Sequence, residues 1–202
     1  MRTARRRAWG LWRHAKILRE PLGSSLYEFA LTMPFLVVLA VGMVDFGQAW
    51  NLKQKLSNAA REGARFGASQ STLDLTQGDP PSVVLNPPSV TAIANVVGGY
   101  LANAGLTQCS TATPANWTET QPSGLQWKFS YSDSSCGDSS HPFSLVIDRG
   151  YLVPGTTVVA THVILTYPYT WTFNNVIGMI VRGANPSLPS TISSDAVMQN
   201  LP

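Results

Sequence analysis

Glu28 and Asp45 stand at the two ends of a run, Phe29 to Val44, that reads FALTMPFLVVLAVGMV and holds no charge. An ionised carboxylate beside lipid costs about 3 kcal/mol or more unless it is paired. Glu28 therefore needs either a cationic partner or a place among headgroups and water. Just ahead of it, Gly23 with Ser24 and Ser25 forms a weak helix start that can open into the extended peptide a protease needs, although Ser is also a natural N-cap. Cys109 and Cys136 are the only cysteines, with 26 residues between them. Beyond these, catalysis finds little footing. The chain has no metalloprotease, nucleophile-elbow or phosphate-loop motif. Its three histidines (His14, His141, His162) are scattered over arm, loop and strand. His162 reads as a packed or edge histidine, and Asp133, Asp138 and Asp148 lack calcium-loop spacing, so they read as turn residues. No enzyme, cofactor or metal site is expected.

The carboxylates of the run must be positioned by a helix. At ~1.5 Å per residue the rise from Glu28 to Asp45 is roughly 25 Å, slightly under a ~30 Å hydrocarbon core, so the two can sit near opposite interfaces. Seven basic residues (Arg2, Arg5, Arg6, Arg7, Arg13, Lys16, Arg19) precede Gly23 against the single acid Glu20, giving this arm a charge of +6. From Ser24 onward seven Lys and Arg face ten Asp and Glu, a charge of −3. The basic pI thus belongs to the arm and argues against a nucleic-acid-binding body. Such an arm keeps the N-terminus cytoplasmic, and Trp9 and Trp12 within it could touch an anionic membrane surface. A cleaved secretory signal is the plainer alternative, but the apolar run is longer than such signals need and no loop follows it. Instead Leu52, Leu56, Ala59, Gly63 and Phe66 recur at spacings of 4, 3, 4 and 3, one stripe of a continuing helix. One helix is expected from about Ser24 to about Ala68, kinked at Pro34, with Glu62 and Arg65 as an i,i+3 pair.

The segment Gly23 to Arg65, GSSLYEFALTMPFLVVLAVGMVDFGQAWNLKQKLSNAAREGAR, resembles the TadE-like (TadE/TadG) family of tight-adherence, or Flp, pilus assembly proteins, which are type IV prepilin-like. The resemblance rests on the Gly before the helix, the Glu-Phe pair, the Pro in the apolar run, the Asp-Phe-Gly at its end and the closing Asn-Ala-Ala-Arg-Glu-Gly-Ala-Arg. It implies a cut by prepilin peptidase after Gly23, with Ser24 as the new terminus and Glu28 as the acid at the fifth mature position. Ser24 departs from the Phe or Met common at that point in prepilins. Glu28 would then pair with the freed amine of Ser24 on the same or a neighbouring subunit. The function implied is a minor pilin or pseudopilin-like subunit for assembly of a type IVb-like pilus or a related secretion machine. Its partners would be the inner membrane, other pilin or pseudopilin subunits, the peptidase and the pilus assembly platform, with no nucleic acid. The alternative is an unprocessed, single-span envelope protein whose head binds a partner or extracellular material.

The rest of the chain reads as an exported head, periplasmic or extracellular. Residues 69–88, rich in Ser, Thr, Gly and Pro, form a connector. Ser89 to Ala104 carries Val90, Ile93, Val97 and Leu101 at helical spacing, with Ser89 as N-cap and Gly105 as stop. Strand signals follow at Leu125 to Tyr131, Phe143 to Asp148 and Thr156 to Tyr167, the last with Val159, Val163, Leu165 and Tyr167 on one face. Tyr167, Tyr169, Trp171 and Phe173 alternate along an extended segment that Pro168 should confine to a sheet edge. Asn174 to Arg182 reads as a short apolar helix closed by Gly183, and Thr191 to Met198 as a last strand. In an exported domain Cys109 and Cys136 read as a disulfide, worth on the order of 3 to 4 kcal/mol, whereas a cytosolic chain would keep two thiols. The expected fold is α+β: a basic arm at 1–23, a membrane-spanning and amphipathic helix at 24–68, a linker at 69–88, and a head of helix plus antiparallel strands at 89–202.

Overall fold

The computed structural model describes residues 21–77, 82–106, 118–131, 143–180 and 190–201. Helix α1 (Pro21–Ala68) is a single run of 48 residues. It continues through Pro34. Two residues earlier Thr32 turns its hydroxyl back on the helix, donating to the carbonyls of Glu28 and Phe29 at 3.1 and 3.2 Å. From Ser25 on, α1 is long and apolar enough to cross a membrane. The fold is thus a long N-terminal apolar helix followed by an α+β head, as the sequence implies.

The connector after α1 carries more structure than its composition implies. Leu75 is buried, and β1 (Thr76–Gln77) pairs antiparallel with β2 (Ser82–Val83). Helix α2 (Pro88–Asn103) begins one residue before the expected start, with Pro87 at the N-cap. Ser89 is therefore not the cap. Its N–H and hydroxyl instead donate to Asp74, at 2.7 Å to Oδ2 and 3.0 Å to Oδ1, so a carboxylate from the connector satisfies the helix start. At the far end Gly105 adopts φ +80°. Leu106 N–H reaches the Leu101 carbonyl and Gly105 N–H that of Ala102, the paired bonds of a Schellman stop.

Five strands form an antiparallel meander in chain order: β3 (Thr118–Ser123), β4 (Gln126–Tyr131), β5 (Phe143–Leu152), β6 (Val159–Pro168) and β7 (Thr191–Gln199). Strand β3, sequence TETQPS, has no apolar alternation to announce it, and its proline suits the edge position it takes. Strand β5 runs four residues past the expected Asp148, through a register shift between Asp148 and Tyr151. Strand β6 starts at Val159 because Val153 to Thr156 close a turn, with Gly155 at φ +79°. Within β6, Val163 and Leu165 are buried and Tyr167 partly so, whereas Val159, the first residue of the strand, is exposed. Pro168 does not mark an edge strand: β6 lies inside the sheet, with Pro168 as its last residue opposite Thr191. Helix α3 (Thr172–Ile180) starts two residues before the expected Asn174.

Two compact units result. One joins α1 up to Asp45 with α3. The other joins α1 from Phe46 with α2 and both sheets. The core of the second unit is built from Leu52, Leu56, Ala59, Ala60 and Ala64 of α1 and Val90, Ile93, Val97 and Leu101 of α2. These meet Trp127, Phe129, Phe143, Leu145, Ile147, Val163 and Leu165 on the inward face of the sheet. The head therefore draws on α1 well upstream of residue 89.

Candidate functional site

The residues singled out by sequence fall in three places. Gly23 and Ser24 lie within the first turns of α1. Glu28 stands one turn further on, exposed in the isolated chain. Cys109 and Cys136 lie outside the described residues, as do Asp133 and Asp138. Around and beyond Glu28 the large apolar side chains are open: Phe29 is 60% exposed, Phe35 66% and Met43 71%. In water such a surface opposes folding, whereas in lipid it is the stable arrangement.

Asp45, read as an interfacial charge, is buried. Its Oδ2 accepts a 2.8 Å hydrogen bond from the Phe173 N–H in the first turn of α3. One turn back, Gly42 lets the Phe173 ring close in: a Cβ there would sit 3.2 Å from Phe173 Cε2. The end of the apolar run is thus a docking point for a second helix, with the carboxylate at that helix's positive end.

In the head the buried polar centre is Arg149, which sequence reasoning missed. It is 1% exposed. Its Nη1 donates to the Gly67 carbonyl and to Thr161 Oγ1 at 3.0 Å, and its Nη2 to the carbonyls of Gln70 and Ser71 at 2.8 and 3.2 Å. These carbonyls lie at and just past the C-terminal end of α1, where the dipole is negative and a cation is favoured. Burial pulls the guanidinium below its ordinary value, and the field of Asp74 works the other way. Thr161 passes the network on to Asn200, whose amide reaches the Arg149 carbonyl at 3.3 Å. The available signal was parity: Phe143, Leu145 and Ile147 face inward, and Arg149 is next in that alternation.

The packing of α1 against this centre depends on small residues. A Cβ at Gly63 would overlap Val97, and one at Gly67 would lie 2.8 Å from Thr161 Cγ2 and 2.9 Å from Ile93 Cδ1. With Ala59, Ala60 and Ala64 fully buried beside them, the Asn-Ala-Ala-Arg-Glu-Gly-Ala-Arg stretch is a close-packing face. Two of its three charges form the expected pair on the outer side, Arg65 Nη2 to Glu62 Oε1 at 3.1 Å.

The remaining candidates are structural. His162 is half-buried; its Nε2 lies 3.1 Å from Asp195 Oδ2 and its ring 4.5 Å from that of Tyr151. Asp148 Oδ1 accepts from the Gly150 N–H at 2.9 Å, a turn contact. The aromatic series does not form one extended face. Tyr167 packs edge-on to Phe143, Tyr169 edge-on to Trp171, and Phe173 already belongs to α3. Burial raises the Tyr167 phenol above its ordinary value. Among the described residues no group of three or more His, Cys, Asp or Glu could hold a metal ion.

Fold and exposure define a chain with one N-terminal helix suited to a membrane and an α+β head. Residues 23–65 match the family model described as TadE-like protein, the segment that forms the exposed span and the close-packing face of α1. The match ends within α1, at Arg65. Comparison with curated proteins and with solved structures gave no match.

Proposed function

We propose that the chain is a minor pilin or pseudopilin-like subunit that serves assembly of a tight-adherence pilus or a related secretion machine. The observation that carries this reading is the coincidence of the TadE-like segment with a helix whose large apolar residues stand open up to Asp45. In this reading the +6 arm stays cytoplasmic, α1 crosses the inner membrane, and the head lies outside, where Cys109 and Cys136 join. Prepilin peptidase cuts after Gly23, which discards the arm and frees an amine at Ser24 about one turn from Glu28. In a low-dielectric setting each of those charges is costly alone and tolerable as a pair. Glu28 then selects the register in which a neighbouring subunit docks on the assembly platform. The role is structural, with no catalytic step.

One observation favours the anchored alternative: α1 already includes Pro21 to Ser24, so the peptidase must unwind its first turns before the Gly23 carbonyl is reachable. The N-terminal sequence of the protein taken from its native membrane decides between them. A Ser24 start supports processing. A Met1 or Arg2 start in cells that possess the pilus machinery replaces the subunit reading with a permanently anchored envelope protein.

A further inference from the structure

We propose that α3 is a second membrane contact, a short helix lying in the bilayer boundary where the span of α1 ends, with phospholipid headgroups and upper acyl chains as its partner. The inference rests on reading α1 as the span.

Helix α3 belongs to the same compact unit as α1 up to Asp45. It is fixed there by the Asp45 carboxylate on the Phe173 N–H and by the Phe173 ring over Gly42. Asp45 closes the uncharged run, so α3 is held at the depth where α1 leaves the hydrocarbon. Residues 172–181, TFNNVIGMIV, carry no charge, and Arg182 is the first charged residue after them. Val176 and Ile177 are only half-buried and Gly178 is exposed, which leaves apolar surface uncovered beside an already lipid-suited helix. At ~1.5 Å per residue the uncharged run 172–181 rises roughly 15 Å as a helix before Arg182, about half of a ~30 Å hydrocarbon core. A run that short cannot cross, so it lies at the boundary, its apolar side about 5 to 10 Å deep and the exposed Thr172 toward water. Burying Asp45 at this level is tolerable because the positive end of α3 meets it.

The test uses the full chain in vesicles of phosphatidylethanolamine and phosphatidylglycerol containing a phospholipid with a diazirine in its upper acyl chain. After illumination, adducts are mapped by peptide mass analysis. Adducts on both 29–44 and 172–180 are expected, and Ile177→Asp should lose those on 172–180 while keeping those on 29–44. Adducts on 29–44 alone, or unchanged 172–180 adducts in the variant, overturn the proposal and leave the span intact. Adducts on neither segment overturn the span reading and this inference with it.

Discussion

Helix α1 carries two kinds of apolar surface. Up to Asp45 its large residues stand open, from Leu26 at 71% exposure to Val44 at 62%. From Ala49 to Ala68 the buried residues are two leucines, small alanines and the glycines Gly63 and Gly67. The difference is one of shape rather than of hydrophobicity. Lipid has no fixed surface, so bulky side chains can point in every direction around a helix that meets it. A sheet and a second helix have fixed surfaces, and close approach to them requires one face stripped nearly to the backbone. The same chain element is therefore suited to lipid in one half and forms core in the other, and the switch falls at Asp-Phe-Gly.

Substitutions that distinguish the halves should differ in size and in sign. The largest effect is expected at Arg149. Arg149→Met keeps the volume but strips the donors from the Gly67, Gln70 and Ser71 carbonyls, at a cost of about 3 to 5 kcal/mol. Urea unfolding of the detergent-solubilised chain measures it, and a loss under about 1 kcal/mol would mean that water satisfies those carbonyls. Next come the glycines. Gly63→Ala meets Val97 and should destabilise by about 1 to 2 kcal/mol, since overpacking outweighs the gain in helix propensity. Gly47→Ala meets nothing within 4 Å and should stabilise the helix by about 0.5 to 1 kcal/mol. Equal effects at the two positions would erase the contrast between the open and the packed face of α1.

The smallest effect concerns alkaline pH. The Tyr167 phenol titrates above its ordinary 10.0 because burial disfavours the phenolate. Its contribution is therefore fully present below pH 10.0 and is lost as pH rises through the higher folded value. Tyr167→Phe should flatten that alkaline decline, as read by thermal melts across pH. An unchanged decline in the variant would assign it to other groups.

Periodicity made the helices and most strands legible: the α1 stripe, α2, β4 to β7 and the Glu62–Arg65 pair all follow from local spacing. What was not legible depends on partners far along the chain. Arg149 bonds to Gly67, 82 residues away, and Asp45 to Phe173, 128 residues away. A buried arginine and a helix-capping aspartate look, in one dimension, like surface charges. Strand β3 escaped because an edge strand can be polar on both faces and needs only its neighbour's backbone. The N-cap, expected at Ser89, falls two residues earlier at Pro87 because Pro88 can take the first helical position and Asp74 supplies the capping bond from the connector.

The division of α1 is tested most directly by alkaline extraction of membranes from cells expressing two variants of the full chain. Leu36→Lys combined with Leu39→Lys places two charges in the exposed run, each costing about 3 kcal/mol at the bilayer centre, whereas Leu56→Lys places one in the head core. The account predicts that the first variant moves to the soluble fraction, while the second stays in the membrane and becomes protease-sensitive in its head. Retention of both variants, or release of both, would contradict an anchor that ends at Asp45.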